Sequence, residues 1–297
     1  MSTLSLLPTA AAGLAIIVLV LVWILWSGTN LLRCPIDWKQ ETVLVTGGSQ
    51  GLGLEFVQQV LARHDPRHMV VLGIKRPQVP FAKDKVTFYE CDVAEFETVK
   101  RVGEAVLREV GAPTIVINNA GILGGKRFVD LDPATIERVI KVNLLGPMWV
   151  TKVFLPSMLE RNHGHIINVC SALSLSGSSG VTEYCASKFG LSGFTESLIQ
   201  ETKHTNVRVS AIFPGLISTS LFRGVAYRYP SLFPTLHARD VAAAIRWIVE
   251  NDASVELVLP WIANLGRAMK VFPVAVQGLI KDLIGANSSM DTYKRAD

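Results

Sequence analysis

Seven short apolar runs, separated by longer stretches with helical periodicity, are the feature of this sequence that most constrains its fold. Each run is apolar almost throughout, which is typical of strands that are buried on both faces. Helical connections between such strands indicate a parallel sheet covered by helices on both sides. We therefore predict a single α/β domain with a doubly wound parallel sheet. The predicted strands are TVLVT from 42, HMVVLGI from 68, VTFYEC from 86, TIVIN from 114, HIINVC from 165, VRVSAIF from 207 and VELVL from 255.

Local signals agree with the helices predicted between these strands. Asp132 can cap a helix whose first position is Pro133, and Pro214 followed by Gly215 would end the sixth strand. The serine-rich segment 171–180 lies between a strand and a helix and is too short to separate domains, so it predicts a loop at the functional site. The predicted helices cover 51–63, 95–110, 133–160, 184–203 and 238–250.

The amino-terminal segment predicts a membrane anchor over residues 1–33. The chain is 49% hydrophobic and only 18% charged, which is more apolar than a typical soluble protein. Residues 9–26 contain no charged side chain. As a helix this segment would rise about 27 Å, close to the hydrocarbon thickness of a bilayer.

A cleaved signal peptide is the alternative interpretation of the same segment. No basic residue precedes the apolar run, and no convincing cleavage site follows it. Trp23 and Trp26 lie at its downstream end, where interfacial aromatic residues are common, and Arg33 and Lys39 follow. The positive-inside tendency then places the rest of the chain in the cytosol.

Charge and cysteine content exclude several classes of protein. The formal net charge is +4, and the basic residues are scattered, so no nucleic-acid partner is predicted. The four cysteines have neither the paired spacing of a zinc site nor the density of a secreted disulfide scaffold. No metal site is expected, and Cys170 and Cys185 are interpreted as small packing residues.

A glycine-rich turn, TGGSQGLG at 46–53, connects the first predicted strand to the first predicted helix. Its glycines at 47, 51 and 53 permit a tight turn and the close approach of a pyrophosphate to the helix amino terminus. Free N–H groups and the helix dipole favour an anion there. A plain glycine-rich turn remains the alternative, but the position after the first strand of a βαβ unit favours a dinucleotide site.

Tyr184 and Lys188, in the segment VTEYCASKFG, lie four residues apart. On a helix this spacing places both side chains on one face, one turn apart. A lysine that extends its stem beside a partly buried tyrosine gives the same pattern. The spacing alone therefore does not assign a function to the pair.

The T-G-x-x-x-G-x-G spacing of the glycine-rich turn resembles that of the short-chain dehydrogenase/reductase family. Further motifs of this family follow in order over about residues 40–260. The resemblance implies a Rossmann fold and hydride transfer between a nicotinamide cofactor and an alcohol or carbonyl compound. The further motifs are CDV at 91–93, NNAG at 118–121, VNLLG with Asn143, Ser171 thirteen residues before Tyr184, and PGLIST from 214.

The resemblance implies four catalytic residues: Ser171, Tyr184, Lys188 and Asn143. Tyr184 would exchange a proton with the substrate oxygen, which Ser171 would hold in place. A free tyrosine has a pKa near 10, and the ammonium group of Lys188 and the positive nicotinamide ring would both favour its phenolate. Lys188 is also expected to bind the nicotinamide ribose, and Asn143 to connect Lys188 to solvent through water.

The expected cofactor is NADP (NADPH). An acidic residue at the end of the second strand would favour NAD, but Ile74 occupies that place and Lys75 and Arg76 follow. Lys75 and Arg76 as ordinary solvated loop charges are the alternative. Asp92 is expected near the adenine amino group. The expected cofactor-binding residues are Gly47, Ser49, Gly51, Leu52, Gly53, Lys75, Asp92, Val93, Asn119, Lys188, Pro214 and Thr219.

The carboxy-terminal part of the chain predicts the substrate region and a second membrane contact. The segment 220–234 is aromatic, and in this family the corresponding region closes over substrate. Residues 261–285 are apolar but carry charged residues and Pro273, which favours an amphipathic element on a membrane or over the pocket. A contact in a homodimer or ordinary core packing is the alternative. The predicted organisation is thus an anchor at 1–33, a Rossmann domain at 34–260 and an apolar extension at 261–297.

Within the family, the segment EYCASKFGLSGFTESL and the tail LIGANSSMDTYKRAD resemble membrane-bound retinol and hydroxysteroid dehydrogenases. This implies a lipophilic alcohol or carbonyl substrate, such as a retinoid, a steroid or a long-chain lipid. It also implies the endoplasmic reticulum membrane or lipid droplets, with the catalytic domain in the cytosol. The alternatives are a non-catalytic NADP-binding membrane protein, NAD-dependent alcohol oxidation, and an extended-branch epimerase or dehydratase, whose G-x-x-G-x-x-G turn is not present.

Overall fold

A computed structural model of the chain describes residues 36–78, 81, 84–290 and 292–293. Over these residues, no helix is both long enough and apolar enough to cross a bilayer. The predicted anchor at 1–33 lies outside the described residues.

The centre of the structure is one parallel sheet of seven strands in the order β3-β2-β1-β4-β5-β6-β7. Each predicted apolar run forms a strand within one residue of its predicted start, and the prediction of a doubly wound parallel sheet is confirmed. The strands are β1 Thr42–Thr46, β2 His68–Gly73, β3 Val86–Glu90, β4 Ile115–Asn118, β5 Gly164–Val169, β6 Val207–Pro214 and β7 Glu256–Leu259.

Helices cover both faces of the sheet. Alternate residues of a strand point to opposite faces. Val43 and Val45 pack with the helices at 51–63 and 238–250, whereas Leu44 packs with the helices at 96–109, 146–161 and 182–202. This two-sided burial explains why the strand sequences are apolar without alternation. The helices are α1 Gly51–Arg63, α2 Phe96–Glu109, α3 Pro133–Ile140, α4 Gly146–Arg161, α5 Thr182–Thr202, α6 Ala238–Glu250, α7 Leu265–Ala268 and α8 Val274–Leu283.

The predicted helix 133–160 is wrong as one continuous α-helix. A π-helical turn, Lys141–Leu145, separates α3 from α4, and the N–H of Gly146 donates to the carbonyl oxygen of Lys141 five residues earlier. Pro133 does occupy the first turn of α3, as predicted. Asp132 stands at the cap position, but its side chain makes no capping hydrogen bond, so that detail of the prediction is wrong.

The order of the strands places a site at the carboxyl edge of the sheet. The chain leaves β1 on one side to form β2 and β3, then returns past β1 to form β4. The loops that follow β1 and β4 therefore diverge, and ligands of doubly wound sheets bind in the crevice between such loops. The glycine-rich turn follows β1, and the NNAG motif spans the end of β4 and the loop after it.

Candidate active site

The glycine-rich turn has a backbone that other residues could not adopt without strain. Gly47 and Gly51 have φ values of +65° and +54°. A Cβ atom on Gly53 would lie 2.5 Å from the carbonyl oxygen of Gly47 and 2.6 Å from Nδ2 of Asn119. α1 begins at Gly51, and Leu52 beside it is buried. The turn thus brings the amino end of α1 to the carboxyl edge of the sheet.

Thr46 and Asn119 connect this turn to the loop after β4. The side chain of Asn119 donates through Nδ2 to the carbonyl oxygens of Thr46, at 2.9 Å, and Gly47, at 3.3 Å. The hydroxyl oxygen of Thr46 accepts from the backbone N–H groups of Asn119 and Ala120, both at 3.0 Å. These bonds fix the distance between the two diverging loops.

A buried hydroxyl group and two basic side chains lie near the end of β2. Ser49 Oγ is buried and has no hydrogen-bond partner within the described residues. A Cβ atom on Gly73, the last residue of β2, would lie 2.9 Å from this oxygen. Ile74 is 61% exposed, and Lys75 and Arg76 after it are exposed as well. The site can therefore present a hydroxyl group and two cations to a ligand beside β2.

Asp92 and Val93 follow β3, and both are held by protein contacts. Asp92 Oδ1 accepts from the N–H of Ala94 at 2.9 Å, and Oδ2 pairs with Arg138 at 2.8 Å. Val93 is buried, and a Cβ atom on Gly146 would lie 3.0 Å from its side chain. Both Asp92 oxygens have partners, so its position is set by the protein.

Ser171, Tyr184 and Lys188 come together beyond the carboxyl end of β5. Ser171 follows β5, Tyr184 lies in the first turn of α5, and Lys188 lies one turn later. Tyr184 is only 4% exposed, and it is hydrogen-bonded to the side chain of Ser171. Ser171 Oγ also accepts from the N–H of Leu173 at 3.1 Å. The pair predicted from helical spacing, Tyr184 and Lys188, thus lies in one buried cluster with Ser171, which follows β5.

Lys188 is buried beneath Tyr184. Its Nζ atom donates to the carbonyl oxygen of Val169 at 2.7 Å and lies 5.8 Å from the centre of the Tyr184 ring. A Cβ atom on Gly121 would lie 3.8 Å from this Nζ and 3.5 Å from Oδ1 of Asn143. The loop after β4 therefore passes between the lysine and the asparagine.

Asn143 lies within the π-helical turn and is fully buried. Its Nδ2 donates to the carbonyl oxygen of Ile122 at 2.8 Å and to Ser187 Oγ at 3.0 Å, and its Oδ1 accepts from the N–H of Ile122 at 2.9 Å. Single turns of π-helix are frequent at functional sites, where they turn one side chain out of the regular phase. Here the side chain connects the loop after β4 to α5.

Burial shifts the pKa values of both Tyr184 and Lys188. Burial raises the pKa of Tyr184 above its usual value near 10, and the hydrogen bond with Ser171 only partly opposes this. Burial also lowers the pKa of Lys188 to about 8. Without the nicotinamide ring, desolvation therefore outweighs the hydrogen bond with Ser171 and favours the neutral phenol of Tyr184. The support that the ring and Lys188 are expected to give the phenolate stays a prediction.

The segment after β6 faces the glycine-rich turn. Pro214 is the last residue of β6, and the N–H of Gly215 donates to the carbonyl oxygen of Leu259 at 2.6 Å. The side chain of Thr219 lies 3.7 Å from the position of a Cβ atom on Gly51. The predicted residues of both halves of the site thus lie along one edge of the sheet.

Sequence analysis singled out Asn118 within the NNAG motif but missed the buried polar network that connects it to Asn168 and Thr195 beneath this edge. Asn118 on β4 and Asn168 on β5 are neighbours in the sheet, and Asn118 Nδ2 donates to Asn168 Oδ1 at 2.8 Å. Asn168 Nδ2 donates in turn to Thr195 Oγ1 of α5 at 2.9 Å. Asn118 is the last residue of β4 and Asn168 the penultimate residue of β5. A lone asparagine near the end of an otherwise apolar run was the available signal.

Sequence reasoning also missed Met290 and Tyr293 near the end of the chain. Both pack against a buried cluster that contains Tyr184 and Cys185.

Cys170 and Cys185 are buried as expected, and burial raises the pKa of the Cys170 thiol to about 12. A thiol with so high a pKa is a poor nucleophile, in agreement with a packing role.

Comparison with known proteins identifies similar chains. A family model described as short chain dehydrogenase matches residues 41–228. The chain is 34% identical to epidermal retinol dehydrogenase 2 of Homo sapiens, with 85% of each chain covered. It is 42% identical to retinol dehydrogenase 10-A of Xenopus laevis, covering 90% of this chain and 89% of the relative. A solved serine dehydrogenase from Escherichia coli superposes with a TM-score of 0.64 at 26% identity, over 73% of this chain and 96% of that structure.

Proposed function

Because the chain belongs to the short-chain dehydrogenase family, whose members bind a nicotinamide cofactor, we propose that it is a membrane-anchored, NADP-dependent oxidoreductase. It interconverts a lipophilic alcohol and the corresponding ketone or aldehyde. The observation that carries this proposal is the buried cluster of Ser171, Tyr184 and Lys188 beside the glycine-rich turn, with Asn143 behind it.

The residues present fit a dinucleotide. Gly47, Gly51 and Gly53 leave the amino end of α1 open to a pyrophosphate, where the helix dipole favours an anion. Ser49 has a buried oxygen without a partner in the described part of the chain, and a ligand hydroxyl or phosphate would satisfy it. Thr219 approaches the turn from the opposite side and would contact the nicotinamide end.

The cofactor supplies the hydride acceptor or donor, and the protein handles the proton. Tyr184 Oη exchanges the proton with the substrate oxygen, and the Ser171 hydroxyl holds that oxygen within reach. Lys188, near Tyr184 and with a pKa lowered to about 8, can be charged or neutral near physiological pH. Lys188 Nζ and Asn143 Oδ1 both lie within 4 Å of the Cβ position on Gly121, and Asn143 would connect Lys188 to solvent through water.

Three features near β2 favour NADP over NAD. No carboxylate follows the strand, since the residues after Gly73 are Ile74, Lys75 and Arg76. The basic pair is exposed at the edge where the adenine ribose of a doubly wound fold binds. Ser49 Oγ points toward the same strand end and can donate to a phosphate. Lys75 and Arg76 would supply the charge that a 2′-phosphate requires.

A lipophilic substrate is favoured by the surroundings of Tyr184 and by the names of relatives. The Phe222 ring packs edge-on against Tyr184 at a centroid distance of 5.7 Å, and Leu123 and Val181 belong to the same cluster. Such a lining stabilises apolar groups next to the reacting oxygen. The relatives named retinol dehydrogenase suggest a retinoid or another long apolar alcohol.

The membrane is the proposed source of that substrate. The anchor at 1–33 would hold the domain at 34–260 against the bilayer of the endoplasmic reticulum or the surface of a lipid droplet. The extension after β7 adds an apolar surface, because its large hydrophobic side chains are exposed and Lys270 and Lys281 accompany them. The exposed hydrophobic side chains are Trp261, Leu265, Val271, Phe272, Val274, Val276, Leu279 and Leu283.

Turnover tests the proposed function. Purified full-length protein in lipid vesicles is incubated with NADP⁺ or NAD⁺ and a retinol, a hydroxysteroid or a long-chain alcohol, and with the reduced cofactors and the corresponding carbonyl compounds. We expect at least one lipophilic pair to turn over, faster with NADP⁺ or NADPH. Tight NADPH binding without turnover of any pair would favour the non-catalytic alternative, and faster turnover with NAD⁺ would favour NAD-dependent oxidation.

Fluorescence quenching tests the proposed membrane contact separately. Brominated lipids quench tryptophan side chains that enter the bilayer, and Trp261 is 73% exposed on the extension. We expect brominated vesicles to quench part of the protein fluorescence, and this part to be smaller in Trp261→Phe, where Trp23 and Trp26 of the proposed anchor remain. An equal quenched fraction in both proteins would mean that the extension faces water or a second copy of the chain.

A further inference from the structure

The last described residues of the chain, 285–290 and 292–293, form a strap across the candidate active site. Ser178 Oγ, in the loop after β5, donates to the carbonyl oxygen of Ala286 at 2.8 Å. Thr292 Oγ1 donates to the carbonyl oxygen of Gly224, in the segment after β6, at 2.6 Å. The strap is therefore attached to two of the loops that carry the site.

Two glycines provide the space in which the strap side chains lie. A Cβ atom on Gly180 would lie 3.0 Å from Cβ of Met290, and a Cβ atom on Gly125 would overlap the ring of Tyr293. Both glycines have positive φ values, +77° and +65°. Met290 thus lies against the loop before α5, and Tyr293 lies against the loop after β4.

Met290 and Tyr293 reach the cluster around the reacting tyrosine. They pack against the apolar group formed by Leu123, Val181, Tyr184 and Cys185. With the strap in this position Tyr184 is 4% exposed and Cys185 is 6% exposed. A substrate oxygen must reach Tyr184 to react, so a substrate that extends beyond this tyrosine along the cluster either contacts Met290 and Tyr293 or displaces them.

We propose that Met290 and Tyr293 form a movable wall of the substrate pocket and determine which alcohols the enzyme accepts. The inference rests on the proposed function. A thioether on a flexible stem and an aromatic ring form an adaptable apolar surface, which suits a long chain or fused rings. Short alcohols that fill only the space next to Tyr184 would not touch these side chains.

Substrate length tests the wall. Met290→Ala and Tyr293→Ala are compared with the wild type for kcat/KM on 1-butanol and 1-dodecanol, and Met148→Ala, an exposed methionine of α4, is the matched control. One lost methylene contact is worth about 1 kcal/mol, so the loss of a larger side chain predicts a change of about tenfold in the ratio of the two values. The wall is supported if the ratio changes by more than about fivefold in either direction while the control stays unchanged. A smaller change in both variants would overturn it.

Thiol labelling tests the strap without turnover. Cys185 accepts a hydrogen bond from the backbone of Ser178, in the loop that holds the strap. We expect N-ethylmaleimide to label Cys185 about tenfold faster in both variants, because a weaker strap opens more often. Labelling of the buried Cys91 and Cys170, located by peptide mass spectrometry, should stay unchanged and shows that the domain remains folded.

The two measurements separate the possible failures. If the wild type turns over no alcohol but Cys185 is labelled faster in the variants, the proposed function is contradicted. The strap would still be shown to limit access to the cluster around Tyr184. Turnover of the long alcohol with an unchanged length ratio and unchanged labelling would leave the strap as a passive part of the fold.

Discussion

The nucleotide side and the substrate side of the candidate site are built in different ways. On the nucleotide side, the ends of β1 and β2 are shaped by backbone atoms, as at Gly53, where even one methyl group would overlap a carbonyl oxygen. On the substrate side, side chains from three loops and the strap surround Tyr184. Backbone-built sites tolerate little change, whereas surfaces built from loop side chains can be altered without loss of the fold.

Tyr184 lies where the two sides meet. Removal of its hydroxyl group is expected to lower turnover more than any other single substitution. Tyr184→Phe should lower kcat by about a thousandfold or more, because general acid–base catalysis contributes up to about 10⁴. The affinity for NADPH, measured by fluorescence titration, should stay within about twofold, since a change of 0.4 kcal/mol corresponds to that factor. Tyr89→Phe on β3 is the matched control and should retain full activity. Substantial turnover by the Tyr184 variant would contradict the proposed proton transfer.

Gly53→Ala should show how rigid the nucleotide side is. The added methyl group must displace Gly47 or Asn119, so we expect NADPH affinity to fall about a hundredfold, a loss of about 2.7 kcal/mol. Gly193→Ala is the control, because nothing lies within 4 Å of a Cβ atom there and alanine favours the α5 helix. Isothermal titration of both variants checks the difference. Equal NADPH affinities of the two variants would mean that the glycine-rich turn can relax. The nucleotide side would then be no more rigid than the substrate side.

Ile74→Asp should change cofactor preference without moving the backbone. We expect the wild type to bind NADPH at least about tenfold more tightly than NADH, a difference of about 1.4 kcal/mol. The new carboxylate should narrow or reverse this preference, since it repels a phosphate and accepts from a ribose hydroxyl. Ile74→Asn separates the charge from the change of shape and should have the smaller effect. Equal affinity of the wild type for the two cofactors would refute the NADP assignment.

The buried side chain of Lys188 should make the free energy of unfolding depend on pH, and this is a smaller effect. Its pKa in the folded protein is lowered to about 8 by burial, against 10.5 for the ordinary side chain. Between these values the unfolded chain binds the proton that the folded chain has released, so a rise in pH stabilises the folded state. Relative to Lys188→Met, the wild type should gain about 1 kcal/mol per pH unit from pH 8 to 10. Chemical denaturation at several pH values measures this, and parallel curves would mean that the lysine titrates normally.

The fold could be predicted from the sequence largely because each strand is short, apolar and buried on both faces. The glycine-rich turn and the pair of Tyr184 and Lys188 could be predicted because their geometry depends on spacing within one segment. The resemblance to a known family then added Ser171 and Asn143, which the structure brings near the same pair.

Other parts could not be predicted, for physical reasons. The π-helical turn has an ordinary helix-forming sequence, KVNLL, and its extra residue is stabilised by the contacts of Asn143 with Ile122 and Ser187. The raised pKa of Tyr184 depends on desolvation, which spacing does not reveal. The strap joins Tyr293 to Gly125, far apart in the sequence, and no local pattern indicates such a contact.

The π-helical turn also determines how this region can gain or lose residues. Because Gly146 bonds five residues back rather than four, α3 and α4 together contain one residue more than a single α-helix would. Deleting Leu144 would restore regular hydrogen bonding and leave α3 and α4 nearly in phase, because the five residues of the π-helical closure subtend about the same angle as four residues of an α-helix. The deletion would change only the directions of the side chains within the turn. Asn143 would then leave the loop at Ile122 while the helices themselves became more regular. A one-codon deletion could thus improve the local secondary structure and disable the site.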